Sequence, residues 1–271
     1  MDNIFQIFLC KEKYREENLR EHAEFFNTAR QNMLAVYPDY QYNLYTNVEA
    51  ARFVKAFSPE VHRAYWTFAP FAYRADLLRL CLLYEYGGWY FDITTKPLFK
   101  FEPDKDFFAK NDASYYVNPA HTGHGLLENF VVYAKPKSKF LELCINRIVD
   151  NALNRRYFTE LSILKIAGPM LISNTLEKNQ HLKSTVDIGI FNHSIQSIVV
   201  DGKIFAEHKN KDPEGPSSSP IIFKDGLNYI GFKGTNSYNK LHAARAVYIA
   251  PWNAYEPLLQ NITDVREIVY A

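Results

Sequence analysis

YRADLLRLCLLYEYGGWYFDIT, running from Tyr73 to Thr94, is the stretch on which the reading of the chain turns. Its spacing predicts a helix from Pro70 to Tyr86. Leu77, Leu78, Leu80, Cys81, Leu82 and Leu83 cover nearly the whole circumference, and a helix apolar all round is buried. Asp76 and Arg79 interrupt that run three residues apart, on one face. Buried charge is costly unless it is paired or used. Two readings follow. One is an internal ion pair that holds the core. The other is a polar face turned toward a ligand rich in hydroxyls, since a carboxylate accepts hydrogen bonds and a guanidinium donates them in a fixed fork. Gly87-Gly88 ends the helix, and Trp89-Tyr90-Phe91 reads as a short buried strand. Asp92 then falls at the carboxyl end of that strand, where open α/β sheets bind ligands. It is placed to reach a divalent ion, a ribose or a phosphate.

Outward from this stretch, strands and helices alternate. Ile4 to Leu9 reads as a first strand, Tyr14 to Val36 as helical, and Gln41 to Tyr45 as a second strand. Asn47 is the expected N-cap of a helix through Phe57, and Ser58-Pro59-Glu60 opens another. This order predicts an α/β fold with helices on the faces of a sheet. Further on, Ser114 to Asn118 is a strand candidate. Ser138 to Leu153 is an amphipathic helix, with Phe140, Leu143, Cys144, Ile148 and Leu153 along one stripe. Gly168-Pro169 precedes a helix from Met170 to Lys178, and Val186 to Ile190 is a strand. Residues 212–220, DPEGPSSSP, read as a loop, and Tyr248-Ile249 as a last strand or helix. No linker divides the chain, so a single domain is expected. Its ligand-binding core would lie in about 1–135, and the acceptor side and closing segment in about 136–271.

The chain has 271 residues, 47% hydrophobic and 23% charged, with a formal net charge of +1. That describes a globular protein without the basic field of a nucleic-acid binder. The aromatic share of 15% serves mainly a Tyr- and Phe-rich core, with some rings available to stack on a sugar or a base. Cys10, Cys81 and Cys144 are odd in number, widely spaced and set in apolar surroundings. They read as buried free thiols of a reducing compartment, and a cytoplasmic location is expected. No segment approaches the ~18 apolar residues of a membrane span. The acceptor patterns at Asn192 and Asn261 read as chance matches.

The run RADLLRLCLLYEYGGWYFDIT resembles the core of the DXD-containing, GT-A-type glycosyltransferases. It is most similar to glycosyltransferase family 32, with its Asp-Leu-Leu-Arg, apolar helix and Tyr-Gly-Gly-x-Tyr-x-Asp-x-Asp. The match is dense over that run, with weaker echoes elsewhere. The resemblance implies a GT-A-like, Rossmann-type mixed sheet flanked by helices, in a single domain with helical additions. It implies a hexosyltransferase, acting with retention on a nucleotide sugar (a UDP-sugar or GDP-mannose) and assisted by Mn²⁺ or Mg²⁺. Its acceptor would be a glycan, a lipid-linked sugar or a protein, and polysaccharide biosynthesis is the expected setting. Carried over by position, Asp76 and Arg79 would hold donor-sugar hydroxyls, and Asp92 would be the first Asp of DXD, with Tyr90 beside it. Gln6, Ile7 and Phe8 would border the base. Tyr73, Gly88 and Asn129 would line the donor site, and Gly168-Pro169 resembles the family's Gly-Pro step before a late helix.

The second Asp of DXD is Thr94 here. A neutral hydroxyl is a weaker ligand for a hard dication than a carboxylate. Either other groups help to bind the metal, or catalysis proceeds without tight metal binding, or the protein is a catalytically reduced relative. A late loop often completes such sites. Gly234-Thr235-Asn236-Ser237-Tyr238 fits it: glycine permits close backbone approach, Asn236 offers a carbonyl to a metal, and Ser237 and Tyr238 offer donors to phosphate. His208 and His242 are alternative ligands, and Lys233 a candidate partner for the leaving diphosphate. A non-catalytic nucleotide-sugar or glycan binder and a protein-glycosylating effector are the rival readings. A dinucleotide-dependent oxidoreductase is disfavoured, because no G-x-G-x-x-G follows the first strand.

Overall fold

The computed structural model describes residues 2–112, 125–158, 162–192, 194–208 and 232–249. In chain order the elements are β1 (Asn3–Ile7), α1 (Arg15–Glu21), α2 (Ala23–Val36), β2 (Gln41–Tyr45), α3 (Asn47–Phe57), α4 (Pro59–Thr67), α5 (Phe71–Tyr86), β3 (Gly88–Phe91), β4 (Lys96–Pro97), β5 (Asp106–Asn111), β6 (Leu127–Ala134), α6 (Lys139–Leu153), α7 (Ser162–Ile166), α8 (Pro169–Lys178), β7 (Val186–Asn192), β8 (Ser197–Val200), β9 (Lys203–Glu207) and α9 (Tyr238–Ala243). The strands form one sheet in the order β2-β1-β3-β6-β5-β7-β8-β9-β4. Pairings β1 with β2, β1 with β3 and β5 with β7 are parallel, and the others are antiparallel. The mixed sheet with helices that the sequence predicts is therefore present.

α5 is the axis of the molecule. Leu77, Leu78, Leu80, Cys81, Leu82 and Leu83 are all fully buried, between β1, β3 and β6 on one side and α3, α4 and α6 on the other. Burying each such leucine contributes about 1.5–3 kcal/mol. The helix stops at Gly87, whose N–H donates to the Leu83 carbonyl at 2.8 Å. Gly88 begins β3 with φ at 100°, and a Cβ there would lie 2.3 Å from the Asn3 carbonyl oxygen. Only glycine lets β3 start this close to β1. A second apolar cluster on the other face centres on Trp89, Phe107 and Phe205.

Several local expectations are revised. The helical stretch from Tyr14 to Val36 is two helices, broken at His22 with φ −113° and ψ 28°. Thr46, not Asn47, caps α3: it forms a reciprocal capping box with Glu49. The Asn47 amide clamps Cys10 instead, accepting from its N–H at 3.2 Å and donating to its carbonyl at 2.7 Å. On α6, Leu141, Ile145 and Ala152 join the buried stripe, while Leu153 at its end is exposed. Tyr248 forms an isolated bridge with Phe68, so the terminal strand is a single rung. The strand candidate at 114–118, the loop at 212–220 and the acceptor pattern at Asn261 lie outside the described residues, as does the middle residue of the pattern at Asn192. All three cysteines are free and buried, and burial is the main cause that raises each thiol's pKa. Among the described residues no helix is long and apolar enough to cross a membrane.

Candidate functional site

The site forms where α5 passes behind the carboxyl end of β3. Arg79 binds both carboxylates: Nη2 lies 3.1 Å from Asp76 Oδ1, and Nη1 lies 3.2 Å from Asp92 Oδ1. Nη1 also donates to the Asn129 carbonyl at 2.5 Å, and the guanidinium lies 4.4 Å over the Tyr90 ring. The Tyr90 hydroxyl donates to Asp92 Oδ1 at 2.7 Å, and Asn129 Nδ2 donates to Asp76 Oδ1 at 2.8 Å. α5, β3 and β6 thus contribute to one network. The internal ion pair of Asp76 and Arg79 is present, and it extends to the strand-end carboxylate.

The geometry gives each carboxylate a fixed and an open side. Among the described residues, every hydrogen bond and ion pair to the Asp76 and Asp92 carboxylates ends on Oδ1. Arg79 is 7% exposed in its side chain, Asp76 11% and Asp92 25%, so Asp92 is the member that meets solvent. Burial pushes the Asp76 carboxyl up to about 6; Arg79 and Asn129 pull it down, and Asp92 pushes it further up. Burial also holds the Tyr90 phenol well above its usual value, keeping it a hydrogen-bond donor.

Around Asp92 the chain turns tightly: its N–H donates to Phe130, and its carbonyl accepts from Thr95 N–H at 2.8 Å. Gln6 Nε2 reaches the same carbonyl at 3.4 Å, while its Oε1 accepts from the Tyr42 hydroxyl. Thr94 is buried in this turn. So is Thr95, which sequence reasoning passed over; its Oγ1 has no hydrogen-bond partner among the described residues. The doubled threonine after Asp92 was the available signal. His208 is buried at the end of β9, 4.0 Å from the Phe130 ring centroid. The β4–β9 register sets the preceding residue, Glu207, opposite Lys96.

Other expected residues serve the framework. Ile7 and Phe8 turn their side chains into apolar clusters, with Phe8 against Phe26 and Phe232. Tyr73 is buried between Phe68 and Tyr238, and Gly88 meets β1. Gly234 adopts φ 71°, and a Cβ there would lie 2.4 Å from the Tyr14 ring; its carbonyl accepts from Lys11 N–H. Asn236 differs from the metal-facing expectation: its amide accepts from Phe71 N–H at 3.0 Å and donates to the Ala69 carbonyl at 2.9 Å, so it fastens the start of α5. Ser237 caps α9. Lys233 is paired with Glu17 and Glu21 on the surface rather than turned to a phosphate. His242 sits on α9 against Tyr157.

Among the described residues the donor set is a poor fit for a dication held by the protein alone. Among the described residues no three His, Cys, Asp or Glu side chains converge as a metal site. Asp92 supplies one carboxylate, with a guanidinium already at its Oδ1, and positive charge there opposes a second cation. Thr94 adds a neutral hydroxyl.

The mixed α/β sheet thus carries, at the end of one strand, a largely buried carboxylate–guanidinium–carboxylate array, with acceptors and donors of the kind that hydrogen-bond hydroxyls. Residues 23–113 match the family described as "glycosyltransferase sugar-binding region containing DXD motif". It is 29% identical over 161 residues to inositol phosphoceramide mannosyltransferase 2 of Schizosaccharomyces pombe, covering 58% of this chain and 43% of that protein. It is 34% identical over 91 residues to mannosyl phosphorylinositol ceramide synthase SUR1 of Saccharomyces cerevisiae, covering 31% of this chain and 22% of that protein. The matches thus span less than half of either relative. Among solved structures, the PaToxG glycosyltransferase is similar with a TM-score of 0.43 and 19% identity, over 68% of this chain and 71% of that one.

Proposed function

We propose that the protein is a retaining hexosyltransferase that uses a nucleotide sugar as donor and a hydroxyl as acceptor. The observation that carries this reading is Arg79 bridging Asp76 and Asp92, with the hydrogen bonds to both carboxylates gathered on Oδ1. That arrangement presents Oδ2 of each carboxylate to a ligand. Two acidic oxygens held on one guanidinium suit the hydroxyls of a hexose or ribose. The relatives' names add mannose to the sugars worth testing.

In the reaction the anomeric carbon leaves the diphosphate, which keeps the bonding electron pair. The acceptor oxygen bonds to that carbon and releases its proton to a departing phosphate oxygen. Asp76 orients the sugar through its hydroxyls, which lowers the entropic part of the barrier. Asp92 faces the junction of ribose, sugar and diphosphate. Tyr90 and Arg79 hold its carboxylate in place before the charge moves, which is the preorganisation such a reaction needs. Divalent metal enters this proposal only as a companion of the donor's diphosphate, and no step above rests on it.

The test is nucleotide release and transfer with UDP-hexoses and GDP-mannose. Asp92→Asn and Asp76→Ala should each abolish both while leaving the circular dichroism spectrum intact. Full activity in both variants would remove the site assignment. Thr94, where a second carboxylate was expected, favours one alternative, a protein that binds nucleotide sugar without turnover. Calorimetric binding of a donor, with no release on any acceptor, would establish that alternative.

A further inference from the structure

Gly168 is buried at the N-terminus of α8, yet neither its backbone nor its surroundings demand glycine. Its φ of −96° is open to any residue. A Cβ built there meets its nearest neighbours at 3.6 Å, 3.6 Å and 3.7 Å, all ordinary contacts. In this it is unlike Gly88 and Gly234, where a Cβ would collide with backbone or ring. Protein interiors rarely leave a methyl-sized space unfilled. The third of those neighbours is Asp76 Oδ2, the oxygen of Asp76 that receives no hydrogen bond from the described residues.

We propose that Gly168 is a specificity-determining residue that keeps space beside Asp76 Oδ2 for one hydroxyl of the donor sugar. This rests on the nucleotide-sugar reading above. A hydroxyl is close to a methyl group in size, and it would give Oδ2 the donor it lacks. Any side chain at 168 would take up that space. Serine would do more, because its hydroxyl could reach Oδ2 and replace the sugar's own.

The experiment uses the full chain and two variants, Gly168→Ala and Gly168→Ser, checked for folding by thermal melting. Calorimetry compares UDP and GDP with UDP-glucose and GDP-mannose. In both variants the affinity for the nucleotide sugar should fall about tenfold or more, the scale of one hydrogen bond to a charged group. Affinity for the free nucleotide should stay within about twofold, below the tenfold that 1.4 kcal/mol represents. A series of donors each lacking one hydroxyl sharpens the result. Wild type and Gly168→Ser should bind equally the one deoxy donor that has lost the hydroxyl in question, as a coupled pair in a mutant cycle does. If the variants bind nucleotide sugars as wild type does, or lose free nucleotide to the same degree, the assignment of Gly168 fails while the proposed function stands. If wild type binds no nucleotide sugar, the proposed function fails first and takes this inference with it.

Discussion

Asp76 holds a proton more tightly in the fold than in the unfolded chain, because burial lifts its carboxyl from 3.8 to about 6. The sign of the linkage follows. The stability this group contributes is greatest below its unfolded value and is lost as the pH rises through its folded one. Asp76→Asn should therefore compare more favourably with wild type in melting temperature at pH 7.5 than at pH 4.5. Under the proposed function donor binding runs the other way: it would use the carboxylate and should weaken as the pH falls below about 6, while the Asn variant's residual binding stays flat. Thr94 supports a second prediction. Thr94→Asp adds a carboxylate at a buried position, which should lower stability in EDTA by about 1–3 kcal/mol. Mn²⁺ should restore the variant and leave wild type little changed, as read by thermal melting. At this scale the sequence was informative where chemistry is local. Asp76 and Arg79 announced themselves by their spacing in an apolar helix, and Asp92 by its place after a strand. The Asn129–Asp76 bond spans 53 residues, so position alone could not reveal it and only the family resemblance pointed there. Gly168 looked like a helix punctuation mark, and the carboxylate beside it is visible only in three dimensions.

Each element around the site is held by a specific local device. α5 has no side-chain cap of its own at Pro70; its first turn is closed from outside by Asn236. Asn236→Ala should destabilise the protein by about 1–2 kcal/mol as measured by urea unfolding. Asn236→Asp, which keeps the acceptor for Phe71 N–H, should cost less. Neither should change a Mn²⁺ titration of donor binding, whereas a metal-ligand role would make both shift it. The strong elements were legible: α5 and β3 are apolar runs separated by the Gly87-Gly88 stop signal, and β2 alternates after the Pro38-Asp39 turn. β5 and β6 were not, although they pair at the centre of the sheet. β5 opens on Asp106, a residue depleted in strands, whose buried carboxylate accepts from Lys135 N–H and from the Ser138 hydroxyl at the start of α6. β6 carries Glu128, paired with Asn111 on β5. Carboxylates whose hydrogen-bond partners come from other elements look like loop residues until those partners are known.

For the whole molecule, the cysteines report on which parts open together. Cys81 and Cys144 lie in the large core around α5, whereas Cys10 lies in the small cluster with Phe8, Phe26 and Phe232. Burial raises Cys10 to about 11, so little reactive thiolate is present in the folded state. Labelling under native conditions should be slow at all three, and Cys10 should react first, because the small cluster depends on the late segment 232–249. Equal rates at the three thiols would mean that opening is global. That segment was readable as a closing strap. What it closes was not, since Asn18 exchanges hydrogen bonds with the Lys233 backbone across 215 residues of chain. This long reach bears on how the protein is made. During synthesis the first strand and the helices after it leave the ribosome well before residues 232–236, so the clamp on Lys11 and the closure of α5 must wait. The sheet can form early, but the contacts that hold Lys11 and the start of α5 form only when the late residues arrive, and such distant contacts are slow to form. A nascent chain stalled before residue 232 should hold its leucine-packed helix while lacking a finished site, so affinity for donor should appear as a late, all-at-once event in biogenesis.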